Sequence, residues 1–161
     1  MSTRCNIAVR HKGWDDSGPT YTYIYHHCDG YPSGVGSDLK AFLAKHWNKP
    51  GDWQWMDYAT LMIDDILKGK VGGDLDYRFT QGIHGDIEYL YVIDTLDHTF
   101  KCYALHYGDA NEYKTVENII AHCKEVEIPD PEPEEDEPEP EPTPEPQLTE
   151  DELVMQIMGM A

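Results

Sequence analysis

The chain has 161 residues, and its 31 acidic residues against 12 basic ones give a formal net charge of −19 at pH 7. This charge disfavours nucleic acids and anionic membrane surfaces as partners, because both are bound mainly through Lys and Arg. It favours a partner with a basic surface, which includes proteins that themselves bind DNA or RNA.

The cysteines and the start of the chain indicate the compartment. The four cysteines are far apart and form no C-x-x-C pair: Cys5, Cys28, Cys102 and Cys123. No basic stretch leads into an apolar run at the start, and no segment approaches the roughly 18 apolar residues of a membrane span. We therefore expect neither a signal peptide nor a transmembrane helix, and free, mostly buried thiols in a reducing cytoplasm.

Two strands are predicted at the start of the chain. Residues 5–10 alternate apolar and polar side chains, and residues 20–27 are dense in aromatic and β-branched ones. Turn-forming residues at 14–19 separate the two runs, so we expect a hairpin. The second strand stops at the turn sequence Asp29-Gly30-Tyr31-Pro32.

Two helices are predicted next. The first has Ser37 as a candidate N-cap, and its apolar residues recur at helical spacing: Leu39, Phe42, Leu43 and Trp47. The second ends at Gly69, and one of its faces carries Ala59, Met62, Ile63, Ile66 and Leu67.

Strand patterns return at residues 77–83, 86–95 and 99–107, with short connections that favour an antiparallel meander. In the middle strand we expect one face to carry Ile87, Tyr89, Tyr91 and Ile93. A last helix begins near Thr115. The order ββ-αα-βββ-α predicts an α+β domain over residues 1–127, in which an antiparallel sheet of about five strands is covered on one face by two to three helices.

The end of the chain has a different composition. Residues 128–161 hold twelve of the acids, eight of the eleven prolines and no Lys or Arg. Alternating Pro and Glu cannot form a helix or a sheet ladder, because Pro lacks an N–H and the carboxylates repel one another. Residues 128–147 are therefore predicted to be a disordered acidic linker.

Residues 148–161 carry start signals for a short amphipathic helix. Thr149 and Glu152 form a capping box, and Leu148 with Leu153 forms a hydrophobic staple. About two turns are too short to persist alone in water, so we expect this helix to fold against a partner. The predicted contact residues are Leu148, Leu153, Val154, Ile157, Met158 and Met160. A purely solubilising tail is the alternative.

The densest polar cluster is YIYHHCDGYP at residues 23–32. Two histidines, a thiol and a carboxylate could hold a metal ion or carry out acid–base chemistry. However, adjacent strand residues point to opposite faces, so His26 and His27 cannot easily share one metal ion. The pattern favours a structural turn, and we predict no catalytic residue, metal or cofactor.

Two runs of the chain resemble a group of small proteins from phages and mobile elements: STRCNI at residues 2–7 and YHHCDGYPSGVG at 25–36. Those proteins begin similarly and carry a Tyr-x-His-x-Asp-Gly-Tyr-Pro-x-Gly run between a first hairpin and a helix. The resemblance is specific over residues 1–45, loose over the rest of the body and absent from the tail. It implies a phage-like setting without a mechanism.

The same resemblance marks the polar residues that we expect to meet in space, which are Arg4, Asn6, His27, Asp29 and Tyr31. Such a set forms either a buried hydrogen-bond network that fixes the turn or a ligand pocket. The network is the interpretation that the residues favour.

The sequence therefore predicts a non-enzymatic, phage-like protein that binds a host protein in the host cytoplasm and inhibits or redirects it. The expected partner has a basic or apolar groove and acts in nucleic-acid metabolism or antiviral defence. The alternative is a protein that binds or processes a small ligand or nucleotide near Arg4, Asn6, His27 and Asp29. The identity of the partner, the host and the oligomeric state stay open.

Overall fold

A computed structural model of the chain describes residues 2–13, 18–47 and 58–131. Within these residues the strands are Cys5–Lys12 (β1), Pro19–His26 (β2), Arg78–Thr80 (β3), Tyr89–Asp94 (β4), Thr99–Ala104 (β5) and Lys124–Val126 (β6). The helices are Ser37–His46 (α1), Tyr58–Leu67 (α2), Asp109–Tyr113 (α3) and Val116–His122 (α4). A π-helical turn, Pro32–Gly36, leads into α1.

The strands form one sheet in the order β3-β2-β1-β4-β5-β6. All neighbours are antiparallel except β1 and β4, which run parallel with Cys5 opposite Tyr89. A parallel neighbour needs a long connection, and the chain between β1 and β4 includes β2, α1, α2 and β3. The α+β class is confirmed. The prediction of an antiparallel sheet of about five strands is only roughly matched, because the described sheet has six strands and one parallel pair.

The predicted meander of three strands is also only partly correct. β4 and β5 are antiparallel neighbours, whereas β3 lies at the far edge of the sheet against β2. Short connections favour pairing between strands that follow one another along the chain. Local patterns carry no signal that the connection from β3 to β4 passes β2 and β1. Two short elements, α3 and β6, were not predicted because five and three residues are too few to show a period.

Alternating side chains divide the core between the two faces of the sheet. On the first face, Ile7 and Tyr91 pack with Leu39 of α1 and Met62 of α2. On the second face, the strands pack against α4, with Ala8, Leu90, Val92, Val116 and Ile119 in one cluster. Helices therefore cover both faces, which corrects the prediction of one covered face. Helical spacing shows that α4 has an apolar side but not which face of the sheet it covers.

The folded body extends beyond residue 127. Ile128 is buried in the first core cluster. Lys40 Nζ of α1 donates to the Ile128 carbonyl at 3.2 Å and pairs with Asp130 at 2.7 Å. Residues 128–130, which composition assigned to the linker, therefore pack on α1. Residues 132–147 of the predicted linker and the predicted contact residues of the terminal helix lie outside the described residues.

None of the helices within the described ranges is long and apolar enough to cross a bilayer.

Candidate functional site

The turn after β2 is built from close backbone contacts. Gly30 N donates to the Thr3 carbonyl at 2.9 Å, and the buried Tyr91 hydroxyl donates to the Gly30 carbonyl at 2.7 Å. A Cβ atom on Gly34 would collide with the carbonyl oxygen of Asp29, so this position requires glycine. Asp29 itself has a φ of 55°, in the left-handed region. The turn is thus held to the residues just before β1 and to β4.

Asp29 and Tyr31 pair with each other on the surface of this turn. The Tyr31 hydroxyl donates to Asp29 Oδ1 at 3.3 Å, and the charge of Asp29 is the main cause of a raised Tyr31 pKa. Among the described residues, no hydrogen bond or ion pair connects these two side chains to Arg4, Asn6 or His27. They therefore belong to the turn.

Asn6 is fully buried and connects four segments. Its Nδ2 donates to the Ile24 carbonyl at 3.0 Å and reaches the Thr80 hydroxyl at 3.4 Å. Its Oδ1 accepts the backbone N–H of His84 at 2.7 Å. The amide thus ties β1 to β2, to β3 and to the loop before β4, which leaves it no free group for a ligand.

Arg4 and His27 are connected through a chain of polar and ring contacts at one end of the sheet. Arg4 pairs with Asp86 at 3.0 Å, and Asp86 contacts His84 Nδ1 at 3.0 Å. The His84 ring packs on the Tyr25 ring with centroids 4.5 Å apart. The Tyr25 hydroxyl lies 2.9 Å from His27 Nδ1. The structure thus joins two of the residues that were predicted to meet, Arg4 and His27, through three residues outside that predicted set.

Burial and a neighbouring charge act on the Tyr25 hydroxyl that contacts His27. Burial first, and then the negative charge of Asp86, raise the pKa of Tyr25. The phenol therefore stays protonated at neutral pH and can donate to His27 Nδ1. On the other side of the ring, His27 Nε2 lies 3.4 Å from the Ser2 hydroxyl.

A cavity of about 340 Å³ opens beside His27, and we call it the His27 cavity. Its lining residues are Tyr25, His27, Cys28, Asp76 and Arg78. Tyr25 and Arg78 are directly opposite in the β2–β3 pair, so both side chains project from the same face. Of the predicted ligand-binding residues, only His27 lines it. Asp76 and Arg78 were missed because β3 brings them here from a distant part of the sequence.

The adjacent histidine lies on the other face of the sheet. His26 is 1% exposed, its Nε2 lies 3.1 Å from Asp74 Oδ2, and its ring stacks on Tyr77 with centroids 4.3 Å apart. The two histidines thus point apart, as the strand alternation predicts. In the described part of the chain, no group of three or more His, Cys, Asp or Glu side chains is arranged to hold a metal ion.

A second candidate surface lies on the sheet face beside α4. This groove, of about 590 Å³, is called the tyrosine groove and is lined by Arg10, Pro19, Tyr21, Val92, Asp94, Asp97, Thr99, Lys101, Tyr103, Glu117 and Ile120. Asp94 holds the Arg10 guanidinium at 2.8 Å and Asp97 lies 3.8 Å from it. The lining therefore has three carboxylates against two cations.

The carboxylate of Glu117 acts on the tyrosines of β2. Burial first, and then Glu117, raise the pKa values of Tyr21 and Tyr23. The two rings are neighbours along the strand, with centroids 6.3 Å apart. Aromatic surface and negative charge therefore lie side by side in and beside this groove.

Comparison of the chain with protein-family models, with curated proteins and with solved structures found no match.

Proposed function

We propose that this protein is a non-enzymatic, phage-like binder that inhibits or redirects a host protein of nucleic-acid metabolism or antiviral defence. The observation that carries the proposal is the charge, 31 acids against 12 bases, with no Lys or Arg after residue 127. A partner with a basic groove is attracted to such a chain over a distance of several ångströms before contact. The partner is a protein, because nucleic acids and anionic membranes repel this charge.

The tyrosine groove supports the proposal with a surface of suitable chemistry. An Arg or Lys side chain of a partner can lie against the ring of Tyr21 and pair with Glu117 or Asp97. Ile120, at 41% exposure, adds apolar contact at the rim. Aromatic side chains beside charged ones are typical of the residues that contribute most to protein–protein affinity.

The cluster at the end of β2 supports a binding role over catalysis. Arg4 and Asp86 neutralise each other, and His84 also contacts Asp86. None of the four cysteines forms a disulfide bond. Free thiols are typical of reducing compartments, and we propose the host cytoplasm as the location.

Affinity capture from host lysate tests the proposal with three forms of the chain. The forms are the full chain, residues 1–131, and full-length Asp97→Asn/Glu117→Gln. The truncation ends at 131 because Ile128 and Asp130 pack on α1. We expect the full chain to capture a basic host protein, and each of the other two forms to recover less of it.

The matched control is Glu88→Gln/Glu112→Gln, which removes the same charge from exposed positions outside the groove lining. Equal loss of capture in this control would show that net charge acts without the groove. A captured partner that is acidic, or that all four forms recover equally, would contradict the proposal.

A further inference from the structure

Two opposite charges line the His27 cavity without pairing. Asp76 and Arg78 are two residues apart, both are exposed, and both side chains line the cavity. Neither forms an ion pair with any of the residues that the structure describes. Elsewhere on the body, Arg4, Arg10 and Lys40 pair with carboxylates at 2.7–3.0 Å. The cavity thus presents a guanidinium and a carboxylate that are both available to a ligand.

The walls between these charges are held in place. Tyr25 lies opposite Arg78 in the strand pair, and the His84 ring packs on the Tyr25 ring. The Tyr25 hydroxyl contacts His27 Nδ1 at 2.9 Å, which holds the His27 ring beside the cavity. A ligand therefore meets two rings that need little further ordering, which favours affinity.

We propose that the His27 cavity binds a small zwitterion, a molecule that carries one carboxylate and one ammonium group, of which free α-amino acids are the simplest. Arg78 holds the carboxylate through parallel N–H donors, and Asp76 accepts hydrogen bonds from the ammonium group. The volume of about 340 Å³ is near the lower end of small-molecule pockets, which suits a ligand of this size.

The charges of the cavity favour a zwitterion over a simple anion. Asp76 and Arg78 cancel, and so do Asp86 and Arg4 nearby. A free phosphate would be repelled by Asp76 and by the net charge of −19 without a second cation to compensate. A zwitterion carries no net charge and satisfies both unpaired groups. None of the residues that line this cavity lines the tyrosine groove, and the proposal does not depend on the proposed partner.

Two-dimensional amide NMR of the full chain tests the proposal, with each proteinogenic L-amino acid added singly at millimolar concentration. We expect at least one of them to shift the amide signals of His27, Cys28, Asp76 and Arg78. Arg78→Gln and Asp76→Asn should each weaken that binding by about tenfold, because each removes one charge-assisted contact. Both side chains are exposed, so the rest of each spectrum should be unchanged.

Matched controls and derivatives separate the roles of the two charges. Lys124→Gln and Glu88→Gln remove one charge of each sign from exposed positions and should bind as the parent does. The amide of the amino acid that binds should be insensitive to Arg78→Gln, and its N-acetyl form insensitive to Asp76→Asn. The proposal is overturned if no amino acid shifts these signals, if both cavity variants bind like the parent, or if inorganic phosphate binds as tightly as the amino acid.

Discussion

Replacing Asn6 by Ala separates the two interpretations of the residues that the resemblance marked. The side chain is 0% exposed and makes bonds of 3.0 Å to the Ile24 carbonyl and 2.7 Å to the His84 N–H. Removing it takes one hydrogen bond away from each of these groups, and a buried group that is left unsatisfied costs about 1–3 kcal/mol. We therefore expect Asn6→Ala to lower the free energy of unfolding by roughly 2–5 kcal/mol. The melting temperature should fall by roughly 10–20 °C.

Calorimetry and urea titration of parent and variant measure this loss. Asn111→Ala is the matched control, because that side chain is exposed and makes no hydrogen bond within the described residues. The control should melt with the parent. If Asn6→Ala also melts with the parent but no longer binds a ligand or partner, Asn6 is a binding residue and the structural account of the network is wrong.

Three further changes test other parts of the structure. Asp29→Ala should destabilise the protein by about 1–2 kcal/mol, because alanine is strained in the left-handed region, whereas Asp29→Gly should be nearly neutral. If Asp29→Ala keeps the parent's melting temperature but loses activity, a ligand role for Asp29 is favoured. Burial of Asp94 opposes its ionisation, but the Asp97 N–H and the Arg10 guanidinium outweigh it and lower its pKa. Its contribution to stability is therefore present above the unfolded pKa of about 3.9 and is lost as the pH falls through the folded value. Asp94→Asn should flatten the decline of the urea midpoint in acid, and an identical decline in both proteins would contradict this. Leu153→Ala/Ile157→Ala, in the predicted terminal helix, should weaken a tail-dependent complex by roughly ten- to a thousandfold, since each side chain contributes about 1.5–3 kcal/mol when buried. Pull-down titration measures this change. If the double variant binds as the parent does, the end of the tail is not an anchor.

Local patterns predicted most of the long elements of this fold. Helical spacing predicted α1, α2 and α4, and Thr115 is the N-cap of α4, with its hydroxyl accepting the Asn118 N–H at 3.2 Å. Ile87 shows the limit of periodicity. The alternation of side chains predicts that Ile87 shares a strand face with Tyr91. However, β4 begins at Tyr89, and Ile87 lies in the core cluster on the other face of the sheet. The residue at which a strand begins depends on its partner strands, and a local sequence pattern carries no information about those partners.

The candidate site was harder to predict because distant segments form it. Arg78 reaches Tyr25 only through the β2–β3 pairing, and the pattern at residues 77–83 predicts a strand but not its partner strand. The resemblance marked both Arg4 and Asn6, but it did not show that Arg4 is a surface arginine in an ion pair and that Asn6 is a buried amide. Burial and hydrogen bonding distinguish the two residues, and both properties depend on the complete fold.

Salt dependence of partner binding tests the central claim most directly. The screening length falls from about 10 Å at 0.1 M salt to about 3 Å at 1 M, which weakens attraction between exposed charges. With a captured host protein, the affinity of the full chain should fall steeply over this range. Residues 1–131 should bind more weakly at low salt and show a shallower fall, because the acids after that point are missing. Equal affinity at low and high salt for both forms would contradict an acidic binder.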